Sequence, residues 1–203
     1  GPFNLSGASK RSEATAGYQF FVPFIVTAWQ KVYGDVYRSV HDVFRMPFAT
    51  YIENLLPNPT LTFATLVSSG RLPGALGETP NQARDALFQP AFVTDLRDSG
   101  TNGLYLAARK NDVLDWKPVA PTLLCSGKED PVVPQALHQD VLKASWDAHG
   151  LDRVISVDVD PLIRATYGQV LAADPLGYYS SYHGAYAPPF CHASARDLFN
   201  QVR

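Results

Sequence analysis

The sequence predicts an α/β chain: a short parallel sheet packed by helices, with a helical subdomain inserted in it. Three observations predict this class. In Ala120–Pro134, APTLLCSGKEDPVVP, an apolar run at Thr122–Cys125 is led by proline and stopped by Ser126-Gly127, the pattern of a buried parallel strand. Arg153–Val159, RVISVDV, is a second strand of β-branched residues, and a helical pattern lies between the two. From residue 18 to residue 117, apolar residues recur at helical spacing and no segment reads as a strand.

In chain order, Gly1–Leu5 is apolar and reads as the tail of a strand, and Ser6–Ala16 is small and polar, a loop. Asn4-Leu5-Ser6 fits a glycosylation sequon, a pattern short enough to be frequent by chance. Phe21, Phe24, Ile25, Ala28, Trp29 and Val32 make one face of a helix, with Pro23 in its first turn and Gly34 as its stop. Met46–Leu56 carries a second helical periodicity, opened by Pro47 and closed by Pro57. Short helices follow at Thr62–Val67, Thr79–Phe88, Ala91–Arg97 and Gly103–Arg109. Thr79-Pro80-Asn81-Gln82 combines a capping box with proline at the first helical position. After the first strand, Pro134–His149 is a helix that presents Leu137, Val141, Leu142 and Trp146 and ends at Gly150. Asp160–Tyr182 reads as a long irregular connection with helical character at Leu162–Ala173, and Phe190–Val202 is the last helix.

The 203 residues are the length of one domain or of one piece of a larger one, and the formal net charge is only −2. No run of Lys and Arg argues for nucleic acid or an anionic membrane. No apolar run reaches the roughly 18 residues that a membrane span needs. Residues 1–17 read neither as a signal peptide nor as an amphipathic targeting helix. Two cysteines, Cys125 and Cys191, make no disulfide framework. They form either one bridge or two buried thiols. Nothing marks either one as a nucleophile.

Two stretches carry chemistry. Asp130 stands just beyond the C-terminal end of the first strand, where open α/β sheets place their active groups. Its plainer role is a cap for the helix after Pro131. His183 precedes Gly184 and the Pro188-Pro189 pair, which sets it on a loop over the final helix. His192 competes with it, but lies near the first turn of that helix, where an imidazolium opposes the helix dipole. His41, His138 and His149 fall in helices or at a helix end and read as solvated or capping. No His-Glu-x-x-His or similar spacing suggests a metal, and no cofactor is expected.

The turn Gly127-x-x-Asp130-x-Val132-Val133-Pro134 resembles the seventh-strand turn of α/β-hydrolases, which carries the acid of a Ser-His-Asp triad. The segment Tyr182-His183-Gly184, Pro188-Pro189-Phe190-Cys191 and Ala195-Arg196-Asp197-Leu198-Phe199 is similar to the region of their catalytic His, with the acid before the base in the chain. Gly1–Gly7 and Asn111–Trp116 extend the likeness to bacterial secreted lipases and esterases. The resemblance implies the C-terminal part of an α/β-hydrolase fold with an inserted helical cap. Residues 1–17 would be the end of the sixth strand and a loop, residues 18–117 the cap, and residues 118–203 the C-terminal core. It implies Asp130 as the acid and His183 as the base of a serine carboxylic-ester hydrolase. A Cys125–Cys191 bridge would then pin the acid strand to the base loop.

The nucleophile elbow Gly-x-Ser-x-Gly is missing: Gly7–Arg11, Ser68–Gly70 and Cys125–Gly127 all fail the pattern. In the family, the nucleophile, the oxyanion-hole amides and the first five strands precede the region matched. The expected partner is therefore the N-terminal half of the same hydrolase, as a separate chain or an unseen segment, and this chain alone is expected to be inactive. The resemblance further implies a secreted or periplasmic enzyme and a small apolar ester substrate. Phe20, Phe21, Phe24, Trp29, Tyr33 and Phe44 would line an apolar pocket in the cap or simply fill its core. A serine peptidase of the same fold and a non-catalytic binding module are the alternatives.

Overall fold

The computed structural model describes residues 2–74 and 78–201. The chain divides into two compact units, Leu5–Asn111 on one side and Gly1–Asn4 with Asp112–Arg203 on the other.

The first unit is helical. Its helices are α1 (Leu5–Ser9), α2 (Tyr18–Tyr33), α3 (Val40–Val43), α4 (Ile52–Leu55), α5 (Phe63–Ser68), α6 (Pro80–Leu87), α7 (Pro90–Asp98) and α8 (Gly103–Lys110), with 3-10 turns at Ser12–Ala14 and Phe48–Thr50. Side chains that satisfy exposed backbone donors set four of these helix starts. Ser39 with Asp42 and Thr79 with Gln82 form capping boxes, Thr62 accepts from the Thr65 N–H, and the Asn102 carbonyl accepts from Leu104 and Tyr105. Gly34 stops α2 at φ 76°, and its N–H returns to the Gln30 carbonyl. Pro23 lies past the first turn, buried inside α2. One cluster, including Val26, Phe44, Ile52, Leu56, Leu66 and Leu87, makes the core.

Three expectations for this unit change. The Ser6–Ala16 loop holds α1 and a 3-10 turn. Met46–Leu56 is not one helix but a 3-10 turn followed by the single turn of α4, between two prolines that cannot sit in a helix interior. Phe44 is fully buried, and Phe20, Phe24, Trp29 and Tyr33 pack on the core, so this set is chiefly core; Phe21 is the exposed member.

The second unit is a three-layer α/β arrangement. Strands β1 (Thr122–Ser126) and β2 (Val154–Asp158) pair in parallel with Thr122 opposite Val154 and Ser126 opposite Asp158. Side chains alternate across a strand. Leu124 and Val154 accordingly join Leu142 and Trp146 of α9 (Gln139–Ala148) on one face. Cys125 and Val157 join a second cluster with Val159, Ile163, Tyr178 and Tyr182 on the other. That face is covered by α10 (Asp160–Ala173), α11 (Pro175–Ser181) and α12 (Ala187–Gln201).

Here the sequence reading needs three corrections. Residues 2–4 are not a strand, and Leu5 already belongs to α1. No strand partners this segment among the described residues, and extended backbone without a ladder is not stable. The Phe3 carbonyl instead accepts from the Val113 N–H, and Phe3 packs against the cluster of Leu124, Leu142, Trp146 and Val154. Asn4 donates its side-chain amide to the Leu137 carbonyl at 3.0 Å, so the sequon asparagine is engaged in the fold. The connection from Asp160 is not irregular but two helices, each started by proline at its first turn. The helix after β1 begins at Gln139, preceded by a 3-10 turn at Gln135–Leu137. Val202, the expected end of the last helix, lies outside the described residues.

Candidate active site

The loop leaving β1 turns at Gly127 and brings Asp130 back over the strand end, with the Asp130 N–H donating to the Gly127 carbonyl at 3.1 Å. The Asp130 carboxylate is buried, and its two oxygens do different work. Oδ1 accepts from the Val132 and Val133 N–H groups at 2.8 and 3.0 Å. Oδ2 lies 2.6 Å from Nδ1 of His183. No helix opens after Pro131 for Asp130 to cap; one oxygen instead closes the turn, and the other meets His183.

His183 does not sit on a loop. It occupies a π turn, Tyr182–Tyr186, between α11 and α12, in which the Ala187 N–H returns to the Tyr182 carbonyl. Pro188 and Pro189 have no N–H to give to the preceding turn. The wider register therefore forms where α-helical bonding is already interrupted, a geometry frequent at functional sites. A side-chain exposure of 44% leaves the imidazole reachable.

A carboxylate oxygen accepts, so this contact suits the tautomer with its hydrogen on Nδ1. The neutral ring then presents Nε2 as an acceptor, the state of a general base whose tautomer is fixed by an acid. Among the described residues no serine hydroxyl hydrogen-bonds to this ring. Of the other histidines, His192 is exposed on α12, beyond its first turn. His138 is buried, accepts from the Asn4 N–H at Nδ1, and is held below its ordinary pKa by desolvation.

Cys125 of β1 and Cys191 of α12 form a disulfide with Cα atoms 5.6 Å apart. It ties the strand that carries the acid loop to the helix that follows the π turn. Sequence reasoning left this bridge open and missed a polar group behind the pair. Tyr182 donates to Asp160 at 2.7 Å, Asp160 is bonded by Arg164 at 2.8 Å, and Arg164 also meets Glu129.

No family model matches the sequence, and it is similar to none of the curated proteins. Solved structures do match. A ligand-bound form of the rice cell wall degrading esterase LipA from Xanthomonas oryzae superposes with a TM-score of 0.68 at 22% identity, over 86% of this chain and 48% of that one. A single-substitution variant of the same esterase gives 0.67 at 23% identity, over 85% and 49%. This chain has the fold of about half of an esterase. The likeness is one of fold: the chain is mostly helical with a small parallel sheet, and it spans about half the length of the structures it matches.

Proposed function

We propose that this chain supplies the acid, Asp130, and the base, His183, of a serine carboxylic-ester hydrolase. The observation that carries the reading is the 2.6 Å contact between a buried carboxylate at a strand end and an exposed imidazole. The likeness to an esterase fold supports it. The nucleophilic serine and the oxyanion-hole amides come from the hydrolase half that this chain does not contain. Nε2 of His183 takes the serine proton as the hydroxyl attacks the ester carbonyl, and Asp130 stabilises the imidazolium that forms. The same nitrogen returns the proton to the leaving alcohol, and water then deacylates the enzyme. The helical unit acts as the cap over a small apolar ester. The disulfide suits an oxidising, extracytoplasmic setting, and no helix among the described residues is long and apolar enough to cross a membrane.

The test uses the native hydrolase assembly containing this chain, labelled with a fluorophosphonate and read by intact mass. The expected result is one probe adduct on a serine outside residues 1–203, together with hydrolysis of p-nitrophenyl esters. His183→Ala should abolish turnover and leave the fold intact. Residual activity above a few per cent, or no adduct, would overturn the reading.

A further inference from the structure

We infer that Tyr182 and Asp160 are positioning residues, a buried clamp that sets the geometry between Asp130 and His183; the inference rests on the hydrolase reading above. Tyr182 is the residue immediately before His183 in the π turn, and none of its surface is exposed. Its hydroxyl donates to Oδ1 of Asp160 at 2.7 Å. Burial first, and then the Asp160 bond, push the phenol far above its ordinary pKa, so it stays a donor. Its ring edge also rests against Gly127, where an added Cβ would overlap the hydroxyl and ring carbons. One side chain therefore touches the start of the acid loop and fixes the turn that bears the base.

Each residue of that loop is tied to the same structure. Gly127 is held by the Tyr182 contact. The Lys128 N–H donates to Asp158 Oδ1 at 2.9 Å, the oxygen that also accepts from the Asp160 N–H. Glu129 pairs with Arg164, which in turn bonds Asp160 Oδ2, and accepts from the Tyr179 hydroxyl. Asp130 meets His183 itself. Asp160 opens α10 and is only 8% exposed, and Tyr182 and Arg164 satisfy its two oxygens. A tyrosine serving only as core would need its ring alone. This one spends a buried carboxylate on its hydroxyl, one residue away from the base.

The test compares Tyr182→Phe, Asp160→Asn and the double variant in the complete hydrolase with a p-nitrophenyl ester. Misplacement of reacting groups by about 1 Å costs on the order of 10²-fold in rate. Tyr182→Phe should lower kcat about 10- to 100-fold with KM unchanged, and should broaden or remove the low-field proton resonance of the His183 Nδ1–H. Asp160→Asn, which still accepts from Tyr182, should do less, and the double variant should be no worse than Tyr182→Phe, the non-additivity of partners in one network. A Tyr182→Phe enzyme with full kcat and a sharp resonance, whatever its melting temperature, overturns the clamp. His183→Ala run beside them separates the two ideas. If it keeps activity, the hydrolase reading is wrong; if it alone loses activity, only the clamp is wrong.

Discussion

The two units use buried polar groups to different extents. In the helical unit such groups serve mainly helix backbone: Thr27 bonds to the Pro23 carbonyl one turn back and Asn102 caps α8, while its amide also reaches Asp95 of α7 and the Tyr18 hydroxyl reaches the Pro80 carbonyl. In the α/β unit they reach across the chain. His138 accepts from Asn4, Asp130 meets His183, Gln139 donates to Ser156, and Tyr182 donates to Asp160. The first kind completes secondary structure, which one apolar core then holds together. The second kind fixes a geometry between elements, which is what a reacting group needs.

Breaking the long-range kind should show most in chemistry. On the proposed hydrolase reading, Asp130→Asn in the full assembly should cut kcat by about 10⁴-fold, the loss seen when a triad carboxylate becomes an amide, and the melting temperature should change far less. Steady-state kinetics with a melting curve checks both. Next in size is the bridge, which closes a separation of 66 residues within the α/β unit. Replacing Cys125 and Cys191 together by serine should cost about 2–4 kcal/mol of that unit's stability, measured by urea unfolding followed at Trp116 and Trp146, which pack edge to face.

The local kind sharpens the contrast from the other side. Thr79→Ala removes a cap that accepts from Gln82 and should cost about 1 kcal/mol. Hydrogen exchange should localise the loss to α6. The smallest effect is that of pH through His138. Its folded pKa lies below the ordinary value of 6.5 because of burial, so the unfolded chain binds the proton first as pH falls. Stability from this site is full above that ordinary value and is lost as pH drops below it. His138→Gln should flatten the slope of stability against pH between 7 and 5, and an unchanged slope would refute the assignment.

The same division explains what could be read from the sequence. Caps are written within four residues, so Thr79 with Gln82 and the Gly34 stop are legible, and the helices they bound appear close to where they were expected. The contact between Asp130 and His183 was expected from the family resemblance of their surroundings, and the two side chains do meet. The π turn was not, since Pro188-Pro189 reads equally well as a loop before a helix; the wider turn depends on Tyr182 being anchored from outside. Nor was Asp160, which looks like any acid opening a helix until Tyr182 and Arg164 are brought to it by the packing of α10 against the later helices. The Gly1–Leu5 strand failed for a related reason, because a strand is decided by its neighbours.

The π turn also makes this part of the chain intolerant of changes in length. An α-helix advances about 100° per residue. Tyr182 is anchored at one end of the turn by Asp160, and Cys191 is anchored beyond it by Cys125. Removing one residue between those two fixed points would relax the turn to ordinary helix and swing Cys191 away from its partner by that angle. Adding one would swing it the other way. The spacing from Tyr182 to Cys191 is therefore set as firmly as any side chain in the site, and single-residue insertions or deletions there should harm oxidative folding more than any conservative substitution within the same segment.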